Sequence, residues 1–320
     1  MKRVLSALFF ILLLNGCDDG NLTLETINFE DAETKSCSDN NIIYKLKEKE
    51  ALLLEISKTE FVNEPTDLTS PRLINIDNTS IRVVYRFYDG AVTEDNVCNT
   101  IPPAKPYVVD QWTATSGKIE IATTTNTVAG TIAGSTVIKG YNHRIVFKNI
   151  TFAKINGTQV YESFVFGDYV TPSTPLPFGF DKSVEQCADK KQVYNYSGGE
   201  SLIIDNLESN LIVNEETPLN TPRTGLIGSV KNQLIYRLYN GLLSSNYFCN
   251  LIPPPLPIIT QEWNGVSGVA NVSGIIEVTT IKSGTTAYKH TIVIKNATLK
   301  KGNSSFKLGD DYIYGELITF

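Results

Sequence analysis

Apolar and polar residues alternate along much of this chain, and many of the apolar ones are β-branched or aromatic. The alternation is clearest in 81–88 (IRVVYRFY) and 233–239 (QLIYRLY). A period of two with these residue types is typical of strands that bury one face. The same pattern predicts further strands at 117–122, 136–139, 144–148, 161–169, 274–281, 291–295 and 312–319. The fold class is therefore predicted to be all-β.

An internal repeat with a period near 150 residues organises these strands. The motif Tyr-Arg-x-Tyr-x-Gly occurs at 85–90 and 236–241, and Cys-Asn-x-Ile-Pro-Pro-x-x-Pro occurs at 98–106 and 249–257. A Trp and a Tyr-x-His motif follow at matching distances in both halves. This period is too long for a solenoid unit, so the chain contains two tandem copies of one domain.

The repeat also decides one ambiguous segment. Residues 45–56 (KLKEKEALLLEI) are good helix formers, whereas the counterpart 195–205 contains Gly198-Gly199, which would break a helix. One fold must accept both versions, so each is predicted to be two strands joined by a turn. Asp89-Gly90 and Asn240-Gly241 tolerate positive φ and predict that the strands before them turn back as hairpins.

Short strands at this spacing predict two tandem β-sandwich domains, with the immunoglobulin fold as one candidate topology. The order Cys, Cys, Trp differs from the Cys, Trp, Cys order of immunoglobulin domains, so the topology stays open. The predicted organisation is a signal peptide (1–16), a lipidated tether (17–26), a first copy (27–170), a stiff Pro-rich linker (171–180) and a second copy (181–320).

Five cysteines divide into one near the N-terminus and two per copy. The repeat favours two bridges, Cys37–Cys98 and Cys187–Cys249, because each copy then closes its own loop. Disulfides persist in exported proteins. The chain contains no Cys-x-x-Cys motif, so we predict structural bridges and neither a metal site nor a cofactor.

The first residues have the features of a secretory signal. Lys2 and Arg3 precede an apolar run at 5–14, which ends in Leu14-Asn15-Gly16-Cys17. This ending resembles the lipobox of bacterial lipoproteins matured by signal peptidase II, and with the duplicated body the chain resembles uncharacterised Bacteroidota-type envelope lipoproteins. The resemblance implies acyl chains on Cys17, which hold the protein to a membrane. Asp18-Asp19 resembles a surface-export signal of Bacteroidota-type lipoproteins, and an acid at this place also resembles an inner-membrane retention signal of enteric-type bacteria. The body is rich in Asn, Ile, Thr and Lys, which fits the first group better, so the expected location is the outer membrane, with surface and periplasmic orientations both open.

The net charge of the chain limits the classes of partner that it is expected to bind. The precursor carries a formal charge of −6, and removal of Lys2 and Arg3 takes the mature chain to −8. An acidic chain with no basic run argues against binding to nucleic acid. The expected partners are the membrane, through the lipid, and a glycan or protein ligand.

Residues with catalytic potential are few. His143 and His290 occupy equivalent positions, and one His per copy is too few for a metal site, so a structural role is favoured. Three repeated carboxylate pairs fall in different predicted strands and loops: Glu50 with Glu200, Glu64 with Glu215, and Glu120 with Glu277. A glycosidase needs two facing carboxylates. We therefore predict a protein that is not an enzyme.

The Pro-rich block is the most distinctive feature of the repeat. A rigid segment between a disulfide and a Trp suits an aromatic surface for sugars or proteins; equally, the Trp can be a core residue. The candidate binding residues are Trp112, Trp263, Tyr88 and Tyr239. The sequence thus predicts a lipid-anchored envelope protein with a binding role. A hydrolase of envelope or external polymers and a structural subunit of an envelope complex remain as alternatives.

Overall fold

The computed structural model describes residues 26–189, 191–250 and 252–320, and its regular structure is almost entirely β-strand, as predicted. Cys17 and the rest of the predicted signal peptide and lipobox lie outside these residues. The first copy contains β1 (Lys35–Ser36), β2 (Ile42–Lys47), β3 (Glu50–Glu55), β4 (Arg72–Asn75), β5 (Arg82–Tyr88), β6 (Val108–Ala129), β7 (Thr136–Lys154) and β8 (Gly157–Pro172). Two short helical turns, Lys58–Glu60 and Asp95–Cys98, lie between these strands.

The second copy repeats this set of strands after the linker. It contains β9 (Glu185–Gln186), β10 (Val193–Ser197), β11 (Glu200–Asp205), β12 (Arg223–Leu226), β13 (Gln233–Tyr239), β14 (Ile259–Gly265), β15 (Ile275–Ser283), β16 (Ala287–Lys301) and β17 (Ser304–Thr319). A 3-10 turn at Ser245–Tyr247 precedes the second Pro-rich block.

All strand pairs within the two sheets are antiparallel, and most spatial neighbours are also neighbours along the chain. The first sheet has the order β1-β2-β3-β5-β6-β7-β8, with β4 on the far part of β6. In the second copy, β14 and β15 together take the place of β6. This meander differs from the Greek-key order of immunoglobulin domains, so the structure resolves the topology that the cysteine and tryptophan order left open.

Each sheet folds over itself to make the two layers of a sandwich. β6 pairs with β5 at its start and with β4 after Gly117, where the register shifts. Gly117 has φ 136°, and a Cβ there would lie 2.9 Å from Ile150 Cα. The bend brings Leu52 and Tyr85 of one layer into the same core as Ile121 and Phe147 of the other.

The predicted β2–β3 turn is confirmed in both copies. β2 and β3 pair from Ile42↔Glu55 to Lys47↔Glu50, and the helix-forming composition of this segment does not produce a helix. Glu48 has φ 51° at the turn, where the second copy has Gly198 at φ 55°. Pairing of these two six-residue strands thus overrides the local helix propensity.

β5 and β13 turn back and pair antiparallel with the next strand, as predicted, but the turn does not lie at Asp89-Gly90 or Asn240-Gly241. β5 ends at Tyr88 and β6 begins only at Val108. Asp89 instead closes the base of the long loop: its backbone N–H donates to Tyr107 O (3.1 Å), and its Oδ1 accepts from Tyr107 N–H (2.9 Å). Asn240 makes the same two bonds with Ile258 (3.0 and 2.8 Å). The chain cannot turn back at once because the loop must carry a cysteine to its partner.

Both predicted disulfides are present. Cys37–Cys98 and Cys187–Cys249 have Cα–Cα distances of 5.4 and 5.3 Å and close loops of 61 and 62 residues. Each bridge ties the long loop to the segment just before the β2 or β10 strand. In the chain-entropy model a loop of this length stabilises its domain by about 4 kcal/mol.

The Pro-rich linker is packed along the second copy over part of its length. Leu176, Phe178 and Phe180 contact the second core, and the Phe178 ring stacks on Tyr236 with centroids 4.4 Å apart. The buried Glu200 carboxylate accepts hydrogen bonds from the backbone N–H groups of Phe178 (3.0 Å) and Gly179 (2.7 Å).

The two copies also contact each other directly. Asp310 N–H donates to Ala133 O at 2.7 Å, which joins β17 to the β6–β7 hairpin. At the β16–β17 turn, Lys301 forms an ion pair with Glu64 at 2.5 Å, and Asn303 N–H donates to Thr66 O at 3.0 Å. The linker and these contacts together join the two sandwiches.

Candidate functional site

The four aromatic residues singled out from the sequence do not form an exposed surface. Trp112 and Trp263 are 2% and 0% exposed, and Tyr88 and Tyr239 are also buried. Trp112 packs on Tyr85, with ring centroids 4.8 Å apart, because its position in β6 points between the layers. Of the two interpretations that the sequence left open, the structure therefore favours the core: these side chains form no aromatic binding face.

His143 lies inside the first sandwich with both ring nitrogens bonded. The Thr171 hydroxyl donates to Asn63 Oδ1 (2.5 Å), so its oxygen accepts from His143 Nε2–H (2.9 Å). The Asn63 amide nitrogen donates to Pro172 O (3.0 Å), which fixes the orientation of that amide. Thr123 then donates to the unprotonated Nδ1 of His143 (2.9 Å).

The second copy contains the same network. His290 bonds Thr280 through Nδ1 and Thr319 through Nε2, both at 2.8 Å. The Thr319 hydroxyl donates to Asn214 Oδ1 (2.5 Å), and the Asn214 amide donates to Phe320 O (3.2 Å). Each network therefore fastens the end of the last strand to a loop of its own domain.

Burial also sets the charge of these histidines. Burial, with a smaller effect from the positive charge of Arg72, lowers the pKa of His143 to about 4. Burial and Arg223 lower the pKa of His290 in the same way. Both rings are neutral near pH 7, and their hydrogen bonds give them the structural role that the repeat suggested.

The repeated carboxylates bind separate partners. Glu50 accepts from Tyr85 Oη (2.5 Å), and Glu200 accepts from Tyr236 Oη (2.8 Å), while Glu277 lies 3.5 Å from Lys295. Within residues 26–189, 191–250 and 252–320, no group of three or more His, Cys, Asp or Glu side chains has a metal-binding arrangement.

The Pro-rich loops between β5 and β6 and between β13 and β14 are the exposed, repeated features of the structure. We call residues 98–109 and 249–260 loop A and loop B. Ile101 is 86% exposed in loop A, and Ile252 is 82% exposed at the matching position of loop B. Tyr107, Leu256 and other apolar residues extend the same surface. The sequence analysis names Ile101 and Ile252 only as part of the repeated motif. The signal for their exposure is that they lie among prolines, outside any run of alternating apolar and polar residues.

Two local features hold each loop. The disulfide fixes its first residue, and the Asp89 or Asn240 clamp closes its base. The peptide bonds Lys105–Pro106 and Leu256–Pro257 are both cis. A Cβ on Gly241 would lie 3.3 Å from Pro257 Cβ, a close contact that glycine avoids, whereas the 3.5 Å from Gly90 to Pro106 Cβ is an ordinary contact.

Loop B borders a recess that contains charged side chains. The cavity measures about 520 Å³ and lies beside the second disulfide, where Pro253 and Tyr247 meet Asp205 and Arg237. The Arg237 guanidinium donates through Nε to Glu262 at 2.7 Å. The second copy thus combines an apolar loop with an adjacent recess lined by both charges.

Comparisons with known proteins add no assignment: no protein-family model, curated protein or solved structure matches the chain. Over the part of the chain that the structure describes, no helix is both long and apolar enough to cross a membrane.

Proposed function

We propose that this protein is a non-enzymatic, lipid-anchored protein of the bacterial cell envelope that binds a protein partner through loops A and B. The observation that carries the proposal is the repeated exposure of Ile101 and Ile252 on disulfide-held loops. Clusters of exposed aliphatic side chains in a soluble domain mark interaction surfaces. Retention of the same exposed residue in both copies supports a shared binding role.

The composition of the loops favours a protein partner over a sugar. Loop B contains no charged residue, and the one charge of loop A, Lys105, lies 3.7 Å from Asp89. Their exposed surface is aliphatic and proline-rich, whereas sugar binding relies on exposed aromatic faces and polar groups. Proline restricts the backbone, so little conformational entropy is lost when an aromatic-lined groove binds such a segment.

The envelope location rests on the lipobox and on the short tether. Nine peptide units separate Cys17 from Thr26, and they span at most about 32 Å when fully extended. A lipid on Cys17 would therefore keep the first sandwich close to the membrane. Asp18-Asp19 supports export to the cell surface, and protease shaving of intact cells with a periplasmic control tests that orientation.

The hydrolase alternative has less support. Each histidine has both ring nitrogens bonded to threonine, and the repeated carboxylates bind separate partners. A structural subunit would use the same loops, and a stable stoichiometric complex would distinguish it from a transient binder.

Site-specific photo-crosslinking in the native envelope tests the binding proposal. A photoreactive amino acid replaces Ile101 or Ile252, and matched controls replace Leu68 or Leu219. These leucines occupy equivalent repeat positions outside the loops and are also highly exposed. We expect a discrete adduct with another protein from the loop positions and not from the controls. No loop adduct, or the same adducts at all four positions, contradicts the proposal.

A further inference from the structure

The turn between β7 and β8 of the first copy, residues 154–157, carries an apolar side chain that the core does not use. Ile155 is 83% exposed, and none of the hydrophobic clusters of the described structure includes it. β7 and β8 pair up to Lys154↔Gly157, so two long strands support the turn. Ile155 is therefore held in solvent at the end of a regular hairpin.

The matching turn of the second copy, residues 301–304, lies against the first copy. Asn303 N–H donates to Thr66 O at 3.0 Å. Gly302 takes the place of Ile155, and a Cβ at Gly302 would lie 2.7 Å from Thr66 O. In the second copy, this turn therefore contacts the part of the protein that precedes its own domain, and glycine makes room for that contact.

The chain enters the first copy near the β7–β8 turn. Ile27 N–H donates to the Tyr161 hydroxyl at 3.0 Å. Tyr161 is the fifth residue of β8, so its Cα lies about 13 Å from the start of that strand. Lys47, the last residue of β2, donates through Nζ to Asn28 O at 3.2 Å. Thr26 is exposed, so the tether leaves the sandwich at the end that carries this turn.

In the lipid-anchored protein, the membrane is what precedes the first copy. The tether from Cys17 to Thr26 spans at most about 32 Å, so it keeps the entry point of the chain close to the bilayer. An anchor of this length raises the effective concentration of the nearby turn at the membrane surface. Full burial of an isoleucine side chain would then favour the docked state by about tenfold.

We propose that the β7–β8 turn docks the first copy on the membrane, with Ile155 inserted between the lipid headgroups and the acyl chains. The contact is apolar, so zwitterionic lipid is sufficient, which suits a chain of net negative charge. Thr66 and Ala133, which contact the second copy, lie outside the turn and leave it free. The proposal rests on the lipid anchor of the proposed function, and the experiment below supplies that anchor chemically, so the two can fail separately.

Fluorescence quenching on phosphatidylcholine vesicles tests the docking. The full mature chain is coupled through Cys17 to a maleimide-headgroup lipid, since the other four cysteines are in disulfides. An environment-sensitive fluorescent amino acid replaces Ile155, and matched controls replace Leu68 or Leu219, which are also highly exposed. We expect blue-shifted emission from position 155 and at least about twofold quenching by doxyl-labelled lipids, because an interfacial side chain lies about 5–10 Å deep. The controls should show neither change.

A second reporter position shows whether Ile155 itself makes the contact. The same fluorescent amino acid at Thr158, an exposed residue at the start of β8, should also be quenched. Ile155→Asn should reduce that quenching about twofold, because the tenfold preference for the docked state is lost, whereas Leu73→Asn, at another exposed position of the first copy, should leave it unchanged. Three results would overturn the proposal: no quenching at position 155 above the controls, equal quenching at positions 155, 68 and 219, or unchanged quenching at position 158 in Ile155→Asn.

Discussion

Tyr88 and Tyr239 occupy the same repeat position, but the Tyr239 hydroxyl has two side-chain partners, Ser201 and Arg237, and the Tyr88 hydroxyl has none in the described structure. The Tyr239 hydroxyl lies 3.2 Å from the Ser201 hydroxyl. The Tyr88 hydroxyl is buried without a hydrogen-bond partner in the described structure. The reason is the residue opposite: Ala51 takes the place of Ser201 in the first copy. Removal of the two hydroxyls should therefore have opposite effects on stability.

The size of each change in the free energy of unfolding follows from two values: a buried hydroxyl without a partner costs about 1–3 kcal/mol, and a formed hydrogen bond contributes a net gain of about 1 kcal/mol. Tyr88→Phe should raise the free energy of unfolding of the first domain by about 1 kcal/mol. Tyr239→Phe should lower that of the second domain by a similar amount, because it leaves the Ser201 hydroxyl without its partner. Ala51→Ser should restore the bond in the first copy and stabilise it by up to about 1 kcal/mol.

Urea unfolding measures these changes in four single variants: Tyr88→Phe, Tyr239→Phe, Ala51→Ser and Ser201→Ala. Hydrogen exchange at β5 and β13 assigns each change to its domain. The pair Ala51→Ser and Tyr88→Phe should also show a coupling energy of about 1 kcal/mol in a double-mutant cycle. If Tyr88→Phe and Tyr239→Phe change stability with the same sign and size, the hydroxyl at position 88 is not unsatisfied and the reasoning fails.

Three further predictions use other parts of the molecule. Burial lowers the pKa of His143 in the folded protein to about 4, below its usual value. The free energy of unfolding of the first domain should therefore be full above about pH 6.5 and fall by up to about 3 kcal/mol as the pH drops to 4. The variant His143→Gln should flatten that part of the plot of urea midpoint against pH. Gly302→Ala should increase proteolysis of the 171–180 linker, because the new Cβ would lie 2.7 Å from Thr66 O in the first copy. Gly198→Ala is the control, since Gly198 has a similar positive φ (55° against 53°) but open space around its Cβ position, and it should leave proteolysis unchanged. Cys17→Ser should shift the protein from the membrane to the soluble fraction and abolish acyl labelling; unchanged membrane association would refute the lipid anchor.

The repeat made several parts of the fold predictable from one sequence. Two versions of the β2–β3 segment decided between helix and hairpin, and the matched cysteines selected the pairing. The lengths of β6, β7 and β8 were not predictable in the same way. Register shifts such as the one at Gly117 interrupt the alternation, so one strand reads as several fragments.

The long loops and the contacts between the two copies escaped prediction for different reasons. Asp89-Gly90 carries a strong local hairpin signal, but the disulfide imposes a long excursion, and the Asp side chain bonds across the loop base instead. The contacts between the copies join segments that are distant in sequence, such as Ala133 and Asp310. No local sequence pattern predicts such contacts, because they form only when the two domains pack together.

Both copies contain the histidine–threonine–asparagine hydrogen-bond network. They differ where the preceding part of the chain packs against each sheet. Tyr161 pairs with Ile150 in the first copy, and Gly309 pairs with the matching Ala297 in the second. The Tyr161 hydroxyl accepts from Ile27 N–H (3.0 Å) and so holds the N-terminal segment on the sheet. At Gly309, a Cβ would lie 2.5 Å from Ile132 Cγ2, so the missing side chain lets the hairpin of the first copy pack there. The packing of that hairpin on β17 is therefore a property of the tandem, and a second domain without the first would lack this contact.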